Sequence, residues 1–234
     1  WQYLPSEVYR IVPFDNMNGV SAIYTKSIGQ SGWNVELQPF FGENSSKYTI
    51  SKKVANFDED DILGARVSIG NNSVSLRGSY ARVNLKGSVG STIARKNLRG
   101  IFIPTIIAND STFWSLGAKW NYQKAFVAGE FAKRSLSSEL AALEGFYLTA
   151  GLHYDKWMPA LTFAQLKTTN TPTLETPQAQ TSYTATFNYF INPNLVAKSS
   201  VSYVVPSGGT NGLFDGSVSG KKIFVYGAEL DAIF

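Results

Sequence analysis

The sequence predicts an all-β protein, a transmembrane antiparallel β-barrel, and three observations carry that expectation. The stretch 222–234 alternates strictly, with Phe234, Ala232, Leu230, Ala228, Tyr226 and Phe224 on one face and Ile233, Asp231, Glu229, Gly227, Val225 and Ile223 on the other. A period of two is the signature of a strand; here one face is wholly apolar and the other carries two carboxylates. Strand-like segments of this kind recur along the whole chain at intervals of about 20 residues. Finally, aromatic residues make up 14% and charged residues only 16% of the 234 positions, whereas a soluble domain typically carries about 25% charge.

Composition removes several other classes. No run approaches the roughly 18 apolar residues of a membrane-spanning helix, a test that barrels escape because each strand is only half apolar. There is no cysteine, which suits passage through an oxidising compartment. A net charge of +4, dispersed along the chain, is too weak for a nucleic-acid partner. No signal peptide is seen, so the chain reads as mature or partial.

Residues 1–18 read as irregular, because Pro5 and Pro13 interrupt any ladder. The first strand is expected at 19–28, and the Gly29-Gln30-Ser31-Gly32 turn leads to a second at 33–41, where Trp33, Val35, Leu37 and Phe41 oppose Asn34, Glu36 and Gln38. A long polar connection is expected at 42–61. The third strand, 62–70, sets Leu63, Ala65, Val67 and Ile69 against Arg66 and Ser68; Asn71 and Asn72 turn it into the fourth, 73–83. The longest connection is expected at 84–110. The fifth strand, 111–122, carries Trp114, Leu116, Ala118 and Trp120 opposite Ser115, Lys119 and Asn121, and Gln123-Lys124 turns it into the sixth, 125–134. A connection of helical flavour at 137–143 precedes the seventh strand, 145–154. The eighth, 157–166, is followed by a Thr/Pro-rich loop, 167–180. The ninth and tenth strands, 181–191 and 195–205, flank the turn at Asn192-Pro193-Asn194, and a Gly-rich stretch, 206–220, leads to the eleventh.

The connections thus alternate short and long, as tight periplasmic turns and long extracellular loops do in bacterial barrels. With the short turns in the periplasm, the first and last strands both run downward. Eleven strands cannot close a barrel of even count, and an open edge in lipid leaves amides unpaired at several kcal/mol each. Either 7–14 forms a short twelfth strand, or 1–234 is the C-terminal part of one larger barrel domain, with 1–18 on the extracellular side and its first strands missing here or supplied by another polypeptide; the second arrangement is expected.

The final strand, with Phe234, Leu230 and Tyr226 on its apolar face, resembles the C-terminal assembly signal of Gram-negative outer-membrane barrels. The opening Trp1-Gln2-Tyr3-Leu4-Pro5-Ser6-Glu7-Val8-Tyr9-Arg10-Ile11-Val12-Pro13-Phe14, followed by Asn18-Gly19-Val20, is similar to a segment inside the general porins of proteobacteria. That resemblance implies a barrel of about 16 strands in the outer membrane, usually trimeric, surrounded by lipid and lipopolysaccharide and passing small hydrophilic solutes and ions by diffusion without a cofactor.

In a channel the working side chains are the inward polar ones. Strand parity turns Glu36, Arg66, Arg77, Lys119, Glu130, Arg134, Lys198, Glu229 and Asp231 inward. The connection holding Arg95, Lys96 and Arg99, followed by the apolar run 101–107, is the candidate for a loop folded into the pore. Asp58-Glu59-Asp60-Asp61 matches no calcium-loop spacing and reads as a solvated acidic loop. Outward aromatics, Trp114, Trp120, Tyr154, Trp157, Tyr183 and Tyr226, suit interfacial girdles. No enzyme is expected: His153 is the single histidine, no serine is assignable as its partner, and the glycines near Ser88 lack the lysine of a phosphate loop. The alternative function is a non-conducting or translocator barrel of autotransporter type, which wants a long helix threading the lumen.

Overall fold

The computed structural model describes residues 5–12, 17–29, 32–50, 53–93, 101–136, 140–172, 176–214 and 216–232, with backbone only at 46–50, 53–57, 59, 87–93 and 101–109. One twelve-stranded antiparallel sheet runs through them. Its strands are β1 (Asn18–Ser21), β2 (Tyr24–Ile28), β3 (Trp33–Ile50), β4 (Lys53–Gly70), β5 (Val74–Ile93), β6 (Ile101–Tyr122), β7 (Ala125–Ser135), β8 (Leu143–Leu152), β9 (Trp157–Thr168), β10 (Ala179–Asn192), β11 (Leu195–Pro206) and β12 (Ile223–Ala232). Each of β3 to β12 pairs with its sequence neighbours, while β1 and β2 both pair with β3.

β1 and β2 are one rung interrupted. Val20 pairs with Phe41 and Tyr24 with Leu37, so the register runs on without a slip. Between them the Ala22 amide donates to the Pro39 carbonyl at 3.2 Å. Proline returns no N–H, and the ladder is broken at that point. The twelve strands therefore occupy eleven positions, as the alternation in the sequence suggests. Among the described residues, no pairing joins β12 to β1 or β2.

Three expectations change. The stretches read as long connections, 42–61 and 84–110, are mostly strand: β3 and β4 pair from Asn34–Gly70 up to Ile50–Lys53, and β5 and β6 from Val74–Trp120 up to Ile93–Ile101. The run 101–107 is thus part of β6, hydrogen-bonded to β5, and not a loop folded inward. The described part of 7–14, residues 7–12, is not a twelfth strand, and 13 and 14 lie outside the described residues. Ser6–Tyr9 instead forms one helical turn, α1, which Pro5 introduces and whose first turn carries Glu7; a fixed φ and an early acidic side chain both favour a helix start. Among 140–142, read as helical in flavour, no helix is found.

Burial alternates along the strands and separates two faces. On β7, Phe126, Ala128, Glu130 and Ala132 are buried while their neighbours are half-exposed. The exposed face is apolar: Leu37, Leu63, Val67, Leu76, Leu116, Leu148, Leu161 and Leu230 all lie on it. Aromatic side chains bound this belt at both ends. Toward the loop end, Trp114–Phe131, Phe146–Phe163, Phe163–Tyr183, Tyr183–Tyr203 and Tyr203–Phe224 have ring centroids 5.1–6.4 Å apart. Toward the turn end, Trp157 contacts Phe187 at 4.9 Å and Tyr189 at 4.3 Å, Trp120 stacks on Tyr122 at 5.6 Å, and the Lys124 ammonium lies 5.0 Å from the Tyr154 ring. The two girdles are six residues apart on β6 and β9, about 20 Å along the strand.

Just past the upper girdle the same face turns charged. Arg82 pairs with Asp110 at 2.7 Å, Lys86 with Asp60 at 3.0 Å and Lys167 with Glu144 at 2.7 Å. A water boundary falls between Phe146 and Glu144 on β8, and between Tyr80 and Arg82 on β5. Near this level β3 and β4 shift register, between Gly42 and Asn44 and between Asp60 and Leu63, with Asp61 at φ 50°. Such bulges re-aim a strand.

Candidate functional site

The concave face holds the candidate site, and α1 lies on it. The helical turn touches β7, β8 and β9. Val8 of the turn and Ile11 just after it are buried with Ala81, Phe113, Ala132, Ala141, Leu143, Tyr147, Ala164 and Leu166, and Leu213 from the connection before β12 packs on the same cluster. The wall must be smooth for the helix backbone to sit so close. A Cβ at Gly145 would fall 2.4 Å from the Glu7 carbonyl oxygen and 3.0 Å from the Ile11 side chain; only a glycine leaves that space.

Two polar clusters fix the turn. Glu7 is fully buried and accepts from Gln180 Nε2 at 2.7 Å, while the Gln180 Oε1 accepts from the Leu213 amide at 2.8 Å. One side chain therefore ties α1 to the connection 207–222. On the other flank the Tyr9 hydroxyl donates to Glu130 Oε2 at 3.3 Å and accepts from Arg77 Nη2 at 3.4 Å, and Arg77 pairs directly with Glu130. The Tyr147 ring, 6.4 Å from that of Tyr9, closes this cluster. Burying a carboxylate is costly unless it is paired, and Glu130 has both a cation and a hydroxyl within reach.

The other inward positions form separate pairs. Arg66 donates to Glu36 at 2.7 Å on β4 and β3. Lys198 pairs with Asp231 and lies 3.6 Å from Glu229, on β11 and β12. Arg134 donates to the Ala141 carbonyl at 3.2 Å at the loop end. Lys119 lies opposite Ser75 in the β5–β6 register. The structure thus joins Arg77 to Glu130, Arg66 to Glu36 and Lys198 to Asp231, on three different parts of the wall. Arg95, Lys96, Arg99 and Phe234 lie outside the described residues. Leu230 and Tyr226 project from the apolar side of β12, and both are exposed.

His153 sits at the turn end, exposed, with its ring 5.2 Å from Phe126. The acidic run is not gathered into a site: Asp58 accepts from Ser45 at 2.9 Å, Asp60 from Lys86 at 3.0 Å and Asp61 from Asn84 at 3.0 Å. The bond to Asp60 holds the exposed Lys86 ammonium above its usual range. Among the described residues, no group of three acidic, histidine or cysteine side chains is placed to hold a metal. The sequence reading missed Glu7, Tyr9, Tyr147 and Gln180. A glutamate and a tyrosine in a proline-bounded apolar stretch were the available signal.

No protein-family model and no curated protein matches the sequence. Solved structures do match the fold. OmpT, an outer membrane protein of Vibrio cholerae, in a form lacking loop L8, superposes with a TM-score of 0.55 at 9% identity, over 90% of this chain and 62% of that one. OmpT folded in vitro gives 0.50 at 7% identity, over 92% and 89%. The β-domain of the Bordetella autotransporter BrkA gives 0.49 at 11%, over 93% and 91%. The fold is that of an outer-membrane β-barrel.

Together with an apolar belt bounded by aromatic girdles, that fold places the chain in a Gram-negative outer membrane. The chain spans 62% of the first of these structures. The finer resemblance to general porins is not matched by any family model. The expectation that the chain is not an enzyme is overturned. It rested on His153 lacking a serine, which bears on one class of nucleophile only, and the neighbours, OmpT among them, are alike at a level that shows fold alone, so an enzyme role stands open.

Proposed function

We propose that the chain lines a water-filled outer-membrane channel for passive diffusion of small hydrophilic solutes and ions, narrowed on its extracellular side by α1. The observation that carries this reading is the distribution of side-chain exposure along the inward face. α1 covers β7 to β9, whereas the inward ion pairs to either side of it keep exposed members: the side chains of Arg66 and Glu36 are 44% and 31% exposed, and those of Glu229 and Asp231 are 58% and 44%, around a Lys198 that is 14% exposed. Each of these pairs joins neighbouring strands, and charged side chains lining an aqueous bore set its ion preference. Glu36, Arg66, Arg77, Lys119, Glu130, Arg134, Lys198, Glu229 and Asp231 are the lining residues of this proposal, and trimerisation and contact with lipopolysaccharide belong to it.

A second reading, a plugged barrel that does not conduct, draws on the dry cluster of Val8, Ile11, Ala164 and Leu166 beneath the helix. Single-channel recording in a planar bilayer separates the two readings. Stable conductance steps from protein extracted from its native membrane support the channel; folded protein that gives none supports the plug and refutes the proposal.

A further inference from the structure

The exposed face carries an apolar trough that the channel reading leaves unused. It has a volume of about 790 Å³ and lies across β7 to β11 near the turn end, within the range of roughly 300–1,000 Å³ of small-molecule sites. Its upper wall runs from Val127 through Ala150, Leu161 and Ala185 to Val201, five residues joined in one cross-strand row. Its lower wall, two residues nearer the turns, runs from Ala125 to Ser199. The backbone of the row between them, from Phe126 to Ser200, is the floor; Phe126 and Ala160 in that row are buried on the opposite, inward face. The dimensions select the occupant. Five strands span about 19 Å, and two residues separate the walls by about 7 Å. A helix with its side chains, about 10–12 Å across, does not enter. A single hydrocarbon chain does, because carbon touching carbon at about 3.5–4.0 Å on each side needs about 7–8 Å. Apart from Ser199 the walls are apolar, and Leu161 on the upper wall is 69% exposed.

The trough opens toward water at its β7 end. On β9 and β10 it is closed from below by Trp157, packed on Phe187 at 4.9 Å and on Tyr189 at 4.3 Å. On β7 the lower wall is only Ala125, and beside it stands Lys124, whose ammonium lies 5.0 Å from the centre of the Tyr154 ring. Tyr154 follows Leu152 at the next outward position and both are exposed, so the cation sits on the lipid side just below the trough. The His153 amide donates to the Lys124 carbonyl at 2.6 Å, which brings the turn carrying Lys156 alongside. Lys124 and Lys156 are both exposed, against Asp155 as the carboxylate of these two turns. An apolar slot with cations at its wet end complements an acyl chain that carries a phosphate. With the short turns on the periplasmic side, its source is the periplasmic leaflet and not the lipopolysaccharide of the extracellular one.

We propose that the trough is a binding site for an anionic glycerophospholipid, one acyl chain lying between the walls and the phosphate held by Lys124 with Lys156 beside it. The site faces lipid, so a plugged barrel would hold it equally. Native mass spectrometry of protein extracted from its native membrane in mild detergent tests it. One glycerophospholipid per chain is expected to stay bound, with acidic headgroups enriched over the bulk lipid of that membrane. Ala150→Phe fills the trough from β8 and should abolish retention, and Ala185→Phe, filling it from β10, should do the same. Lys124→Gln removes a charge-assisted contact and should weaken retention about tenfold. Each variant is compared with the parent on barrels of matching urea unfolding, which separates loss of the site from loss of the fold. Retention of no lipid, of phospholipid in bulk proportion, of lipopolysaccharide, or of phospholipid that none of the three substitutions alters would overturn the proposal. A change of oligomeric state in Ala150→Phe would overturn it too, by making the trough a contact between copies.

Discussion

Replacing Gly145 by alanine is a direct test of how α1 is held. The added Cβ would lie 2.4 Å from the Glu7 carbonyl oxygen and 2.9 Å from the Gln165 carbonyl oxygen on β9, where ordinary contact begins at 3.4 Å, so the larger displacement, about 1 Å, falls between β8 and α1 and a smaller one between β8 and β9. The wall is fixed by the ladders of β7, β8 and β9, and the single turn of α1 gives first. Full burial of Val8 and Ile11 contributes about 1.5–3 kcal/mol each, roughly 3–6 kcal/mol together. A gap of about 0.5–1 Å forfeits a quarter to a half of the contact energy, a loss of about 1–3 kcal/mol. Hydrogen exchange reports it, because the amides of Val8, Tyr9, Arg10 and Ile11 donate within the turn, to Pro5, Pro5, Ser6 and Val8 at 3.0–3.1 Å. At about 1.4 kcal/mol per factor of ten, these amides should exchange roughly 5- to 150-fold faster in Gly145→Ala. Ile11→Ala should do the same without touching the wall, and Gly78→Ala, where a Cβ meets its nearest atom only at 3.9 Å, should do nothing. Unchanged exchange at these four amides in a folded Gly145→Ala barrel would refute the docking described here.

Other consequences can be checked in the same material. Glu130→Gln removes the partner of Arg77, whose side chain is 39% exposed, and should cost about 2–3 kcal/mol, below the 3–5 of a fully buried pair; urea unfolding of the variant reads it, and a loss under about 0.5 kcal/mol would contradict the burial assigned to Glu130. Leu161→Arg places a charge between Trp157 and Phe163 on the exposed face and should destabilise the refolded barrel by about 2–4 kcal/mol in lipid, whereas a water-facing site would show almost no change. Lys198→Gln leaves Glu229 and Asp231 without their cation, so the reversal potential in a salt gradient should move toward cation preference if the channel reading is right; an unmoved potential would remove Lys198 from the lining.

The sequence is legible where lipid is the solvent and obscure elsewhere, for one reason. Between the girdles the outer face must be apolar and the inner face is polar, so β7 to β12 advertise a period of two, and their expected bounds differ from the observed ones by no more than two residues. Above Arg82 and Asp60 the outer face carries charged side chains too, in the pairs Arg82–Asp110 and Lys86–Asp60. The alternation vanishes there, and residues such as Glu43, Asn44, Asp58, Asp60 and Asp61, all of which lie in strands, read as loop. α1 was hidden by its shortness: one turn between Pro5 and Pro13 has no room for a 3.6-residue pattern, and only its contacts with Gly145 and Gln180 give it a place. The pairing of Arg77 with Glu130 follows from inward parity on both strands, but Tyr9, the third member of that cluster, could not be assigned from strand parity.

The unequal length of the strands has a mechanical meaning. β5 and β6 have 20 and 22 residues, against 10 in β12, so one side of the rim stands as a mast whose backbone runs from Arg82 to Ile93, about 37 Å along the strand. Any large body arriving from outside meets the top of that mast before it meets the mouth. A sideways push there acts with leverage on a ladder that runs without a register shift from Val74–Trp120 to Ile93–Ile101, while the bulges at Gly42–Asn44 and Asp60–Leu63 lie in the neighbouring β3–β4 and β4–β5 ladders, where the sheet leaves the lipid.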